Sequence, residues 1–211
     1  MYRNLHSQAR HNAIIDPGLA AKFGLKAEIL TFNFRFGSAQ PMDIKKFIRD
    51  VPDFPEPGIL FKDITPLLGD VGAFDFTIAQ LVDRYKSADF DVIVPVESRG
   101  FLFGAPLARN LGKAIVPVRK PGKLPFETLS TDYELEYGTN TMEIHVDGVE
   151  NGQKVLIIDD LLATGGTLAA SAKLVEMAGG YVSEIGVIIE LSFLEGRKNL
   201  SAYNVFSMIQ Y

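Results

Sequence analysis

The strongest chemical signal in this chain is a pair of adjacent acids with a run of small residues just behind them. Val155-Leu156-Ile157-Ile158 is apolar throughout and reads as a buried strand, and Asp159 and Asp160 follow it directly. Ala163, Thr164, Gly165, Gly166 and Thr167 then open a helix. The glycines let the backbone approach a ligand closely, the hydroxyls can donate to phosphate oxygens, and a helix N-terminus lies behind them. Together they describe a cradle for a monophosphate. The loop lacks the closing lysine of a Walker A loop and the glycine spacing of a dinucleotide fingerprint. Paired acids suit ribose hydroxyls or a hydrated Mg²⁺. Acids and cradle together describe a ribose 5-phosphate, whereas an ordinary capped turn would explain the acids alone.

Two further charged segments follow apolar runs. Glu97-Ser98-Arg99-Gly100 comes after the run at residues 91–95, and Arg119-Lys120 after the run at 114–118. Another apolar run spans 184–191. Between these runs, 74–85, 101–111 and 168–178 have helical periodicity, the last stopping at Gly179-Gly180. Strands apolar on both faces and alternating with helices predict an α/β fold: a twisted parallel sheet flanked by helices. Such sheets bind ligands beyond the carboxyl ends of their strands. All three charged segments fall there. Residues 43–50 read as a short amphipathic helix, 51–58 as a proline-punctuated loop, and 143–145 as a less buried strand. Residues 119–141 are rich in Gly, Pro, Thr and charge with few apolar anchors, which predicts a mobile lid.

Composition narrows the classes. The 211 residues are 47% hydrophobic and 22% charged, enough for a core of ordinary size. No stretch approaches the ~20 apolar residues of a membrane helix. There are no cysteines, which excludes thiolate metal sites and thiol nucleophiles and fits a reducing, cytoplasmic setting. Three histidines leave little for a histidine-based metal site or triad. The net charge is −5. Residues 1–41 hold five basic and two acidic residues, so the body of the chain carries −8, which argues against nucleic-acid binding. Residues 1–41 read as a poorly ordered N-terminal extension without a secretory signal, and Met42 as the functional start of a domain spanning 42–211.

The strand–Asp–Asp–cradle segment resembles the phosphoribosyl-pyrophosphate (PRPP) motif of the type I phosphoribosyltransferases. Four more segments, in order, are similar to the adenine-using members: Phe54-Pro55-Glu56-Pro57-Gly58-Ile59-Leu60-Phe61-Lys62-Asp63; Glu97-Ser98-Arg99-Gly100-Phe101-Leu102-Phe103-Gly104; Val118-Arg119-Lys120-Pro121-Gly122-Lys123-Leu124-Pro125; and Leu135-Glu136-Tyr137-Gly138. The resemblance runs from about residue 43 to the C-terminus.

The resemblance implies transfer of a phosphoribosyl group from PRPP to adenine, giving AMP and pyrophosphate, with Mg²⁺. It also implies that fold, with a small hood at about 42–66 and a flexible catalytic flap at about 119–141. Ala163–Thr167 would hold the 5′-phosphate. Asp159 and Asp160 would orient the ribose diol and favour the cationic ring, meeting Mg²⁺ only through water or ribose oxygens. Glu97, Ser98 and Arg99 would form the pyrophosphate loop, with a cis peptide at Glu97–Ser98. Arg119, Lys120 and Lys123 would bring positive charge to the pyrophosphate from the flap, the first two across a homodimer interface. Glu136 would handle the proton of the base, and Tyr137 would cover it. Leu60, Phe61 and Lys62 would contact adenine, with Lys62 standing where many relatives have Arg. Two rival readings are a transferase for another purine base and a non-enzymatic PRPP sensor. Competition between adenine and hypoxanthine separates the first, and pyrophosphate release the second.

Overall fold

A strand that is apolar on both faces must be covered on both faces, and the alternation of its side chains decides what covers each. The computed structural model of this protein describes residues 42–134 and 139–211, which lie within one compact unit. A short 3₁₀ turn at Ile44–Phe47 leads into β1 (Arg49–Pro52), which pairs antiparallel with β2 (Leu60–Asp63). Helices α1 (Thr65–Gly69) and α2 (Val71–Tyr85) follow. The Asp70 side chain caps α2 by accepting from the Ala73 N–H at 2.8 Å. Then come β3 (Val92–Pro95), α3 (Gly100–Leu111) and β4 (Ala114–Ile115). The hairpin β5 (Thr128–Glu134) and β6 (Thr139–His145) precedes β7 (Lys154–Leu162), α4 (Gly166–Met177), β8 (Tyr181–Glu190) and β9 (Val205–Gln210).

Five strands form the parallel sheet, in the order β4-β3-β7-β8-β9. On the central strand, Val155 and Ile157 face α4 and pack with Leu168, Ala172 and Val175. Leu156 and Ile158 face the other way, toward Ile78, Leu81, Phe103 and Leu107 of α2 and α3. The two-residue period of β7 thus builds both halves of the core. After β3 the chain moves outward through α3 to β4, and later returns to place β7 on the opposite side of β3. The topological switch point therefore lies between β3 and β7.

Three local expectations differ from the structure. Residues 43–50 form a 3₁₀ turn and the first strand instead of an amphipathic helix; Ile44 is the one buried residue of the turn. The segment 119–141, read without regular structure, contains β5 and the start of β6, a hairpin that reaches His145 and absorbs the strand read at 143–145. Met142 and Ile144 are fully buried in it, and Leu129 and Tyr133 pack on the same cluster under α4. The last strand, β9, was not predicted. Residues 1–41 and the Glu136 and Tyr137 positions lie outside the described residues.

Gly104 sets how closely α3 approaches the sheet: a Cβ there would sit 2.6 Å from Pro95 Cβ. Gly104→Ala is expected to push α3 off β3 and destabilise the protein by about 1–3 kcal/mol, read as a lowered denaturant midpoint at unchanged slope.

Candidate active site

The site begins where β7 outruns its neighbour. β3 pairs with β7 only as far as Pro95 opposite Ile158, after which the Val96 N–H donates to the Ile158 carbonyl at 3.0 Å. On the other side β8 continues to pair through Leu162. One edge of Asp159–Leu162 is therefore uncovered at the switch point. The cavity of about 400 Å³ that opens there is lined by Glu97, Ser98, Arg99, Lys120, Tyr133, Asp159–Leu161 and Ala163–Leu168. Its size is within the range of small-molecule sites.

Asp159 and Asp160 are both nearly buried, at 9% and 3% exposure. Arg99 reaches across the switch point, its Nε 2.7 Å from Asp160 Oδ2. Gly100 makes that reach possible. A Cβ at this position would lie 2.6 Å from the Ile158 carbonyl oxygen and 3.1 Å from Asp159 Cα, so only glycine lets the start of α3 rest on the end of β7. The Asp160 N–H donates to Asp159 Oδ1 at 2.8 Å. Burial pushes both carboxyls above the ordinary carboxylate range. The neighbouring charge of Asp160 raises Asp159 further, while the Arg99 guanidinium pulls Asp160 part of the way back.

The cradle is shaped by glycine and by a segment far along the chain. Gly165 has φ +86°, and a Cβ on it would lie 2.5 Å from the Gly196 carbonyl oxygen. A Cβ on Gly196 would in turn lie 2.1 Å from the Ala163 carbonyl oxygen. Asn199 Nδ2 donates to the Thr164 carbonyl at 2.8 Å. These contacts fold residues 163–165 so that α4 opens at Gly166 with the N–H groups of its first turn, which have no partner inside the helix, directed to the cavity. Thr167 Oγ1 donates to Tyr133 Oη at 3.0 Å.

The Glu97–Ser98 peptide is cis. The Glu97 carboxylate turns away toward the base of the flap segment. Arg119 donates to it through Nε and Nη2, both at 3.2 Å, and the Lys120 N–H donates at 2.9 Å. Burial raises the Glu97 carboxyl, but the Lys120 N–H and Arg119 outweigh it and hold the group below its usual range. Arg119 Nη1 also donates to the Lys123 carbonyl at 3.1 Å. Lys120 reaches the cavity, whereas Arg119 and Lys123 stand outside its lining.

The segment read as the hood, which carries β1 and β2, lies beyond Arg99. The Phe61 ring centroid is 5.4 Å from the Arg99 guanidinium carbon, and Phe54 packs edge-on against Phe61. Leu60 is 47% exposed. Lys62 is turned inward: its Nζ lies 2.6 Å from Asp50 Oδ1 and 4.0 Å from the Tyr211 ring centroid. It ties the hood to the C-terminus and does not line the cavity. Sequence reasoning missed Tyr133, Gly196 and Asn199. The alternation of apolar Met142 and Ile144 with polar neighbours is the sequence signal that could have disclosed the hairpin carrying Tyr133, whereas nothing local singles out Gly196 or Asn199.

Among the described residues no three His, Asp or Glu side chains converge into a metal cage. Two adjacent carboxylates beside a phosphate cradle do fit a divalent cation that arrives with its own phosphate and water oxygens.

The family model for the phosphoribosyl transferase domain matches residues 72–210. An adenine phosphoribosyltransferase from Kosmotoga olearia is 57% identical over 170 residues, covering 81% of this chain and 100% of the relative. The crystal structure of the Thermoanaerobacter pseudethanolicus adenine phosphoribosyltransferase is 59% identical with a TM-score of 0.78, over 80% of this chain and 98% of that one. That of the Saccharomyces cerevisiae enzyme, complexed with an imino-altritol bisphosphate and adenine, is 41% identical with a TM-score of 0.74, over 79% and 96%. With a family-model match across most of its length and such identity over the whole of its relatives, this chain belongs to the adenine phosphoribosyltransferase family.

Proposed function

We propose that this protein transfers the 5-phosphoribosyl group of PRPP to adenine, forming AMP and releasing pyrophosphate. The observation that carries this reading is the pair of buried acids at the end of β7, set beside the cradle at the start of α4 in one cavity. In the reaction the bond from C1 of the ribose to the pyrophosphate oxygen breaks and the bond from C1 to N9 of adenine forms. The N9 proton leaves.

The 5′-phosphate binds Ala163–Thr167 through first-turn N–H groups and the two threonine hydroxyls. Asp159 and Asp160 accept from the ribose hydroxyls, and their negative charge favours the oxocarbenium character that grows on the ring. Arg99 and Lys120 face the departing pyrophosphate, with the Ser98 backbone beside them. Asp159 and Asp160 would hold Mg²⁺ through its water shell, and the ion would supply charge neutralisation for the leaving group. Lys123 and Arg119 stand at the flap base, where Glu97 holds Arg119, and they add positive charge as the flap closes. Glu136 takes the adenine proton and Tyr137 covers the base. Leu60 and Phe61 shelter the purine, and Lys62 steadies the strand that carries them. A hood matched to the 6-amino group and N1 of adenine rejects a 6-oxopurine, which presents the opposite donor and acceptor. The family resemblance supports a homodimer working in the cytoplasm.

Pyrophosphate release from PRPP is expected with adenine and not with hypoxanthine, at equal rates for the full chain and for a chain starting at Met42. Equal turnover of both bases, or release with neither, overturns the reading. Glu136→Gln is expected to lower kcat by roughly 10²–10⁴-fold and to leave PRPP affinity within about twofold, checked by steady-state kinetics and calorimetry.

Asp159→Asn removes a buried, poorly solvated carboxylate while keeping an acceptor for the Asp160 N–H. The wild-type carboxyl titrates high in the folded state, so its ionised form opposes folding increasingly as pH rises through that value. The variant should lose most activity yet melt roughly 2–4 °C higher at neutral pH. That gap should close on acidification, as scanning calorimetry at several pH values will show.

A further inference from the structure

The flap hairpin and the phosphate cradle meet at one pair of hydroxyls. Tyr133, next to last in β5, lines the cavity, and its ring packs on the core cluster beneath α4. Its hydroxyl is thereby fixed in front of the first turn of α4, where Thr167 Oγ1 donates to it at 3.0 Å. Among the described residues, Thr167 is the only hydrogen-bond partner of Tyr133 Oη.

Each of these hydroxyls has one proton and can accept as well. In the structure Thr167 gives its proton to Tyr133. A phosphate oxygen is the stronger acceptor because it is charged. Once phosphate enters, the Thr167 proton turns to it, and the phenol proton turns to Thr167 Oγ1. The pair then forms a chain running from Tyr133 through Thr167 to the phosphate, each bond polarising the next. A phenylalanine at 133 would keep the ring but leave Thr167 Oγ1 without its donor.

Building on the phosphoribosyl reading of the cradle, we infer that Tyr133 is a positioning residue for the 5′-phosphate, orienting the Thr167 hydroxyl from the flap hairpin. The hairpin thus contributes to sugar-phosphate binding as well as to covering the base.

Tyr133→Phe, Thr167→Val and the double variant are titrated with AMP and, separately, with pyrophosphate, and assayed with PRPP and adenine. Tyr133→Phe should weaken AMP binding and raise KM for PRPP by the same factor, about three- to tenfold. It should leave pyrophosphate affinity and kcat within about twofold. Thr167→Val should weaken AMP binding at least as much, and adding Tyr133→Phe to it should change nothing further. A general structural defect would instead persist in the Thr167→Val background and would reach pyrophosphate as well. Unchanged AMP affinity in Tyr133→Phe, or additive effects in the double variant, overturns the inference while leaving the cradle in place. Unchanged AMP affinity in Thr167→Val removes the cradle reading and the inference with it.

Discussion

Two carboxylates held where water is scarce must be compensated, or they take up protons and lose the charge that makes them useful. Arg99 supplies that compensation through Asp160, and the rest of the cavity follows from the requirement that it do so. The guanidinium can reach because Gly100 lets α3 touch the end of β7, and α3 can sit there because Gly104 clears Pro95. The loop that carries Arg99 also carries Glu97, whose carboxylate grips the backbone and side chain at the base of the flap segment. A single demand for charge balance thus aligns a helix, the Glu97–Arg99 loop and the segment that begins at Arg119.

The Asp pair has a second partner in prospect. Arg99 pairs directly with Asp160 and acts on Asp159 only through space, so Asp159 stays the less compensated of the two until something with hydroxyl donors or positive charge arrives. On the proposed reading, a sugar that becomes cationic as its leaving group departs answers that need best at the top of the barrier. The protein holds the imbalance in its folded state through the packing of β7, whose residues from Val155 to Ile158 are fully buried on both faces. Preorganised charge of this kind requires no rearrangement at the moment of reaction.

What the sequence discloses is what short-range chemistry controls. The centres of β3, β7 and β8, at 92–95, 155–158 and 185–189, carry no polar side chain, and the three long helices carry a 3.6-residue period with a capping Asp70 or a terminal glycine. The Asp159–Thr167 segment is equally plain, since its strand, acids and cradle are contiguous. The hood was harder, because the prolines at 52, 55 and 57 read as a connector while the flanking residues pair as strands. β9 is half-buried along most of its length, so its pattern is diluted. The flap hairpin hides its anchors, Leu129, Met142 and Ile144, among polar residues on the opposite face. Gly196 and Asn199 matter only through contacts with residues more than thirty positions earlier, which no local pattern reports.

The contact of Gly196 and Asn199 with the cradle has a consequence for synthesis. Gly196–Leu200 is held against the sheet by Arg197, which forks onto Glu190 with both bonds at 2.8 Å and also donates to the Val205 carbonyl. The hood is likewise pinned to the chain end, with Lys45 donating to the Gln210 carbonyl and Lys62 stacked on Tyr211. On the ribosome the β7–α4 unit emerges well before these supports exist. A nascent chain can lay down most of its sheet, yet the cavity takes its folded shape only after residues 196–211 have been made and have cleared the exit tunnel.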